Sequence, residues 1–298
     1  MLNKRKDKLF YFLLYLFFAL VCACFIIPLL VVISASFTSE NELLSGGFGL
    51  FPKEFTTAAY QSAFKNSEKM IRAYLVTIAE SFGGTFLTCV VCGMIGYALS
   101  RSSFRFKKPI TWTVMFTMLF SAGMIPTYIG YSQYYHISNT FWIYILPGIT
   151  GGAWNTMVFR TFFRTLPESL FESARLDGAN ELTIFFKIVI PLSTPVFASL
   201  GFMMLVGKWN DYTTSMIYIR NENLYTLQYL LQKIMSESEF LKSMAQAGML
   251  GISMDAFSRP SETLKFAMCI IAAGPMLVIF PFFQKYFSQG LTIGAVKG

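Results

Sequence analysis

The sequence predicts an all-α membrane protein with six transmembrane helices, on three observations. Of its 298 residues, 54% are hydrophobic and 17% aromatic while 13% are charged, against roughly 25% charged in an average soluble domain. Mean hydropathy is +0.52. Six apolar segments, about 9–35, 72–99, 110–131, 139–163, 193–219 and 265–286, reach the length a spanning helix needs, about 20 residues. Lys and Arg are also unequally divided: fourteen fall at the two termini and in the 100–109 and 160–192 loops, nine in the longer 37–72 and 220–265 loops. Positive charge marks the cytoplasmic side, so both termini and the 160–192 loop are expected there.

Taken in order, the first span follows Lys4, Arg5, Lys6 and Lys8. Its apolar run, Leu9 to Ile33, is 25 residues, whereas a signal-peptide core has about 7–15. It reads as an uncleaved helix. The second span carries Glu80 in line with Thr77, Gly84 and Thr88, which reads as a bundle-facing stripe. Gly123 and Pro126 in the third span and Pro147 and Gly148 in the fourth permit bends and close packing. The fifth span holds Lys208 and Asp211 near its middle, beside Trp209, Asn210 and Tyr212. A charge at mid-helix costs about 2.5–3.5 kcal/mol on insertion scales, so both should face the bundle or a water-filled cavity. Their i, i+3 spacing lets them neutralise each other. Of the outer loops, 37–71 reads as irregular with a short helix. The 220–264 loop contains LYTLQYLLQKIM (224–235), with apolar residues at helical spacing.

Cys22, Cys24, Cys89, Cys92 and Cys269 all lie within apolar segments, and His136 is the single histidine. No structural disulfide or metal site is expected. A membrane-embedded enzyme would want converging acids, a His–Cys arrangement or a metal cluster, and none stands out. No GxxxxGK[ST] phosphate loop occurs, since Gly207-Lys208 lacks the upstream Gly and the following Ser or Thr. The chain divides into helix 1 with the first outer loop (1–71), a five-helix core (72–286, with the 160–192 loop and the 220–264 outer loop), and a tail (287–298).

Between two apolar spans lies a charged segment, ESARLDGANELTIFFKIVIPL (172–192). Pro167 suits the first turn of a short helix, where its missing N–H is harmless. Leu170, Phe171 and Ala174 then share one face, and Glu168, Glu172 and Arg175 lie elsewhere. Gly178 suits the left-handed turn that ends a helix. Asn180 can cap a second helix, and Pro191 and Pro195 lead into the next span. Such a helix can fill a partner's groove or lie on a lipid surface; physics alone leaves both open.

The segment resembles a family signature, E-A-A-x3-G-x9-I-x-L-P, of permease subunits of binding-protein-dependent ABC importers. It offers Glu172-Ser173-Ala174, three residues, Gly178, nine residues, then Ile188-Val189-Ile190-Pro191. Ser173 replaces Ala and Ile190 replaces Leu. GYALSR (96–101), FSAGMIPTY (120–128), LPGITGGAWN (146–155), KWNDY (208–212) and FFQKYFSQGLTIGAVKG (282–298) are similar to the maltose-permease-like, sugar-importing branch, the tail most like relatives handling oligosaccharides or complex glycans.

The resemblance implies a type I ABC importer permease fold with a cytoplasmic coupling helix, in a bacterial plasma (inner) membrane. Coupling to an ATPase would fall to Leu170, Phe171, Glu172, Ser173, Ala174, Asp177, Gly178 and Pro191. Leu170, Phe171 and Ala174 would supply the contact buried in the ATPase, the larger side chains worth about 1.5–3 kcal/mol each, and Glu172 would meet a basic group. A translocation cavity would draw on Lys208, Trp209, Asn210, Asp211, Tyr212 and Glu80, with the Trp209 and Tyr212 rings facing a pyranose. Implied partners are a second related permease subunit, two ATPase subunits holding ATP and Mg, an extracytoplasmic sugar-binding protein, membrane lipid, and a sugar or oligosaccharide. The chain itself would bind no cofactor and no nucleic acid. The 220–264 loop would reach the binding protein, and Gly290 to Gly298 the ATPase dimer. Import of another solute, or a non-transporting scaffold or sensor, are the competing expectations.

Overall fold

The structure is a computed structural model that describes residues 4–65, 67–150, 152–246 and 262–293. The described residues are overwhelmingly helical, with one isolated bridge between Thr38 and Phe55. They fall into two compact units, Met1–Ser67 with Leu231–Pro275, and Glu68–Leu230 with Met276–Gly298.

In the first unit, the Lys4–Ser36 helix carries an apolar span, Phe10–Ser36, whose most apolar stretch buries nothing within the chain. The loop that follows is more ordered than its sequence suggests. Ser39 caps the Glu40–Gly46 helix, and the Glu42 carboxylate accepts from the Lys53 and Glu54 amides at 3.0 and 2.8 Å. Phe37 stacks between Phe55 and Tyr60 at 5.3 and 4.9 Å. Glu40 accepts from the Glu262 and Thr263 amides and the Thr263 hydroxyl, each at 3.0 Å, at the start of the Glu262–Ile293 helix. A carboxylate there meets donors that have no partner within the helix. Of the 220–264 loop, residues 247–261 lie outside the described residues, as do 294–298 of the tail.

The second unit is built around the Ser67–Ser100 helix, half of whose most apolar window is buried. Two glycines let neighbours approach it. A Cβ on Gly96 would stand 2.8 Å from Phe159 Cβ and 3.0 Å from the Thr156 carbonyl, so the Ala153–Phe163 helix packs directly on its backbone. Gly93 makes the same room for the Phe197 ring at 2.9 Å. Around them gather Phe159, Phe163, Phe171, Ile184, Phe185 and Val189, all fully buried. Cys92 belongs to this core, its thiol 3.5 Å from the Gly152 carbonyl.

Among the described residues, three helices are long and apolar enough to span unbroken, Phe10–Ser36, Ser67–Ser100 and Glu262–Gln284; two bent pairs raise the number to five. The third expected span is one such pair, Lys107–Leu119 and Met124–Tyr134, bent by 116°. Gly123, at φ +83°, makes the turn. The fifth, 193–219, is the Thr194–Trp209 helix followed by the separate Thr213–Tyr218 helix; with Glu181–Leu192, expected in the preceding loop, Thr194–Trp209 forms the other bent pair, 84° at Ser193 beside Pro195. The fourth, 139–163, is a 3-10 turn Phe141–Tyr144 and two short helices, Leu146–Thr150 and Ala153–Phe163. Proline and glycine break the hydrogen-bond ladder at these points while leaving hydropathy untouched.

Candidate functional site

The charged segment folds as a helix, a turn and a second helix. Glu168–Leu176 begins just after Pro167, which stands at the N-cap, one position before the first turn. Gly178 has φ +80° and open space where a Cβ would project, so the backbone conformation is what requires glycine. The Asn180 side chain accepts from the Thr183 amide at 2.8 Å and starts the next helix.

One expectation for this helix fails. Phe171 is 0% exposed and Ala174 is buried, both inside the chain's own core with Tyr97, Phe163 and Phe185. An amphipathic helix lays its apolar stripe on the nearest apolar surface, and here that surface belongs to the same polypeptide. Phe171 and Ala174 are therefore unavailable to an ATPase. The face left open carries Leu170, Glu172, Ser173, Asp177 and Leu176, the last 89% exposed.

Polar contacts lock the helix from behind. Arg101, the residue after the Ser67–Ser100 helix, donates to Glu168 at 3.0 Å and to the Phe163 carbonyl at 2.7 Å. Its guanidinium lies 4.0 Å above the Phe171 ring. Burial pulls the Arg101 pKa down, and the Glu168 charge opposes that; stripping partners from a group so buried costs about 3–5 kcal/mol. Glu181 accepts from Tyr97 at 2.7 Å and from Arg175 at 2.9 Å, and that bond raises the Arg175 pKa. Sequence reasoning assigned Tyr97, Arg101, Glu168 and Glu181 no part in the site. The legible signal was Tyr97 and Arg101 at i, i+4 where a span ends, a spacing that puts an aromatic face under a cation.

A second feature is an open cavity of about 470 Å³, lined by Thr88, Pro147, Gly148, Asn155, Lys208 and Asp211 among others. Lys208 donates from Nζ to the Tyr144 carbonyl at 2.7 Å. It threads between two glycines, since a Cβ on Gly84 or Gly148 would lie 2.9 or 3.4 Å from Nζ. The expected mid-helix pairing of Lys208 with Asp211 is corrected. The helix ends at Trp209, and Asp211 accepts from the Thr214 amide at 3.1 Å and from its hydroxyl, opening the Thr213–Tyr218 helix. Both side chains nonetheless reach the cavity.

Trp209 is corrected too: it is 2% exposed and offers no ring face to a sugar. Tyr212 and Asn210 are exposed, with Asn210 donating to the Val206 carbonyl at 2.8 Å. Glu80 is 1% exposed, in a π-helical turn Ala79–Gly83, and its Oε2 has no hydrogen-bond partner. It is not among the residues that line the cavity. The π turn is invisible to hydropathy, and it shifts the register of the Thr77–Glu80–Gly84–Thr88 stripe.

With this geometry in hand, comparison with known proteins is informative. A family described as binding-protein-dependent transport system inner membrane component matches residues 1–293. The polygalacturonan/rhamnogalacturonan transport system permease protein YtcP of Bacillus subtilis (strain 168) is 36% identical over 297 residues, covering 98% of this chain and 100% of the relative. The arabinooligosaccharides transport system permease protein AraQ of the same organism is 28% identical over 95% of this chain and 94% of its own. Among solved structures, a bacterial ABC transporter involved in the import of the acidic polysaccharide alginate contains a chain that superposes with a TM-score of 0.80. It is 26% identical, over 96% of this chain and 99% of that one.

Proposed function

Because the chain belongs to the family of binding-protein-dependent transport system inner membrane components, we propose that it is the permease subunit through which a bacterial ABC importer takes up an oligosaccharide derived from a complex glycan. The observation that carries this reading is the Glu168–Leu176 helix: capped at Gly178, fixed from behind by Arg101, and open on the face of Glu172, Ser173, Leu176 and Asp177. A rigid, capped helix with a charged outer face suits the transmission of motion from another protein. The segment keeps the spacing of the coupling signature.

In this reading both termini and the 160–192 loop are cytoplasmic. The helix docks on an ATPase pair that holds ATP and Mg, with Leu170 and Leu176 as the apolar contacts. A second related permease subunit completes the pathway, and a sugar-binding protein delivers cargo to the outer loops. The 470 Å³ cavity is this chain's share of the pathway. There Lys208, Asp211 and Asn155 offer hydrogen bonds to sugar hydroxyls, with Tyr212 at the edge. Glu80 and Trp209 are buried and do not line it; they contribute by packing. The cargoes named for the relatives, polygalacturonan/rhamnogalacturonan, arabinooligosaccharides and the acidic polysaccharide alginate, support the substrate class.

The test is uptake. Proteoliposomes holding the complete complex, with ATP inside and binding protein outside, are offered labelled galacturonate, arabinose and maltose oligomers. ATP-dependent accumulation of an oligomer is expected. If the assembled complex hydrolyses ATP but accumulates none of them, and takes up a non-sugar solute instead, the substrate class is wrong. Absence of any flux favours a scaffold or sensor.

A further inference from the structure

A second cavity, of about 370 Å³, lies where the Ser67–Ser100 helix ends and shares no lining residue with the Lys208 cavity. Ligand clefts commonly measure roughly 300–1,000 Å³. Its floor is apolar. Met94 and Ala98 come from the helix, Phe104 from the loop after it, and Leu182 and Phe185 from the start of Glu181–Leu192. Leu182 is 56% exposed, so the floor reaches the surface of the chain. The rim is polar and carries Arg101, Ser103, Arg175 and Glu181. The outward residues of the Glu168–Leu176 helix, Glu172, Ser173, Leu176 and Asp177, take no part in it.

Depth and charge together select an occupant. Residues 101–106 join two apolar helices, Ser67–Ser100 and Lys107–Leu119, which places them at the boundary between hydrocarbon and water. A cleft at that level can take a chain from the bilayer while its rim stays among the headgroups. From 101 to 108 the sequence is RSSFRFKK, four cations and no acid. Arg160 reaches the same place, donating to the Leu99 carbonyl at 3.3 Å. The two acids nearby are already engaged. Glu168 accepts from Arg101 at 3.0 Å, and Glu181 accepts from Arg175 at 2.9 Å and from Tyr97 at 2.7 Å. Arg105, Lys107 and Lys108 have no ion pair among the described residues. A basic rim over an apolar floor at the membrane boundary matches a molecule with both a hydrocarbon chain and a negative headgroup.

We infer that this cavity binds an anionic phospholipid, with one acyl chain against Met94, Ala98 and Leu182 and the phosphate among Ser103 and the 101–108 cations. The site is independent of what the permease carries. Tyr97 and Arg175 both border the cavity and both bond Glu181, so the lipid packs against the contact that ties the Glu168–Leu176 helix to the spanning helix.

The test uses the complete complex in phosphatidylcholine vesicles containing a minor share of phosphatidylglycerol with a photoreactive diazirine on its acyl chain. Adducts formed on irradiation are mapped by peptide mass spectrometry. They should fall within 94–104 and 181–185, and exceed those from the equivalent phosphatidylcholine probe by about fivefold or more. Ser103→Glu adds a negative charge at an exposed rim position, and should cut the adducts about fivefold while the complex stays assembled. Ala98→Phe fills the floor and should cut them as far with every charge in place. Soluble sn-glycerol 3-phosphate, the headgroup chemistry without a chain, should not compete at millimolar concentration. Equal labelling by the two lipid probes, or labelling that both variants leave intact, overturns the inference. Competition by glycerol phosphate also overturns it and makes the occupant a free anion. Should Ala98→Phe fail to assemble, Ser103→Glu decides alone. Sugar uptake plays no part in the readout, so the importer reading stands or falls separately.

Discussion

Two glycines of one helix serve different ends, and a methyl group separates them. A Cβ at Gly96 would meet the backbone of the Ala153–Phe163 helix at 3.0 Å, where nothing flexible can give way. Gly96→Ala should therefore lower stability by about 1–3 kcal/mol through overpacking, measured by thermal unfolding of the purified complex. A Cβ at Gly84 would meet only the end of the Lys208 side chain, at 2.9 Å. Gly84→Ala should leave the unfolding temperature within a few degrees while pushing Nζ off the Tyr144 carbonyl, so that uptake falls about tenfold. Equal loss of stability in both variants would show that Lys208 has no special place in the cavity. At this scale the sequence was partly legible. It showed that Lys208 and Asp211 had to find polar surroundings, because a charge among apolar residues needs them. It did not show that Tyr144, sixty-four positions upstream, supplies the acceptor, since a backbone carbonyl has no sequence signature.

Among the elements, the Glu168–Leu176 helix separates structure from docking most clearly. Its start, its left-handed stop at Gly178 and the Asn180 cap were all readable, because capping is local chemistry. Its partner was not. An apolar stripe states only that something covers it, and here the chain's own Phe163 and Phe185 do. Phe171→Ala should accordingly destabilise this chain itself, by about 3–5 kcal/mol. Leu176→Ala should change stability by less than about 0.5 kcal/mol but weaken retention of the ATPase during purification. Circular-dichroism melts beside quantified co-purification check both. A Phe171→Ala complex that melts normally but sheds its ATPase would restore the docking role to that face. Bends at Gly123, Pro126, Pro147 and Gly148 were readable, but their sharpness and the π turn were not, for a related reason. Hydropathy averages over about nineteen residues, whereas Gly123, Ser193 and the π turn at Ala79–Gly83 each act within one turn.

For the whole molecule, composition pointed to a polytopic membrane protein and the 172–192 signature to an importer permease, and the family match across residues 1–293 bears that out. In the proposed function, turning a partner's ATP hydrolysis into movement depends on stiffness. The path proposed here runs from Glu172 and Leu176 through the locked Glu168–Leu176 helix, then by Arg101 and Glu181 to the ends of the Ser67–Ser100 and Glu181–Leu192 helices. From there it reaches Lys208, at the far end of the same bent pair. The most direct measurement is oligosaccharide-stimulated ATP hydrolysis by the complex in proteoliposomes, wild type beside a Glu172→Ala, Gly178→Ala double variant. With the complex still assembled, the variant should lose at least nine-tenths of the stimulation while this chain keeps its fold. Full stimulation in the variant would contradict the account, because force would then be reaching the cavity by a route other than this helix.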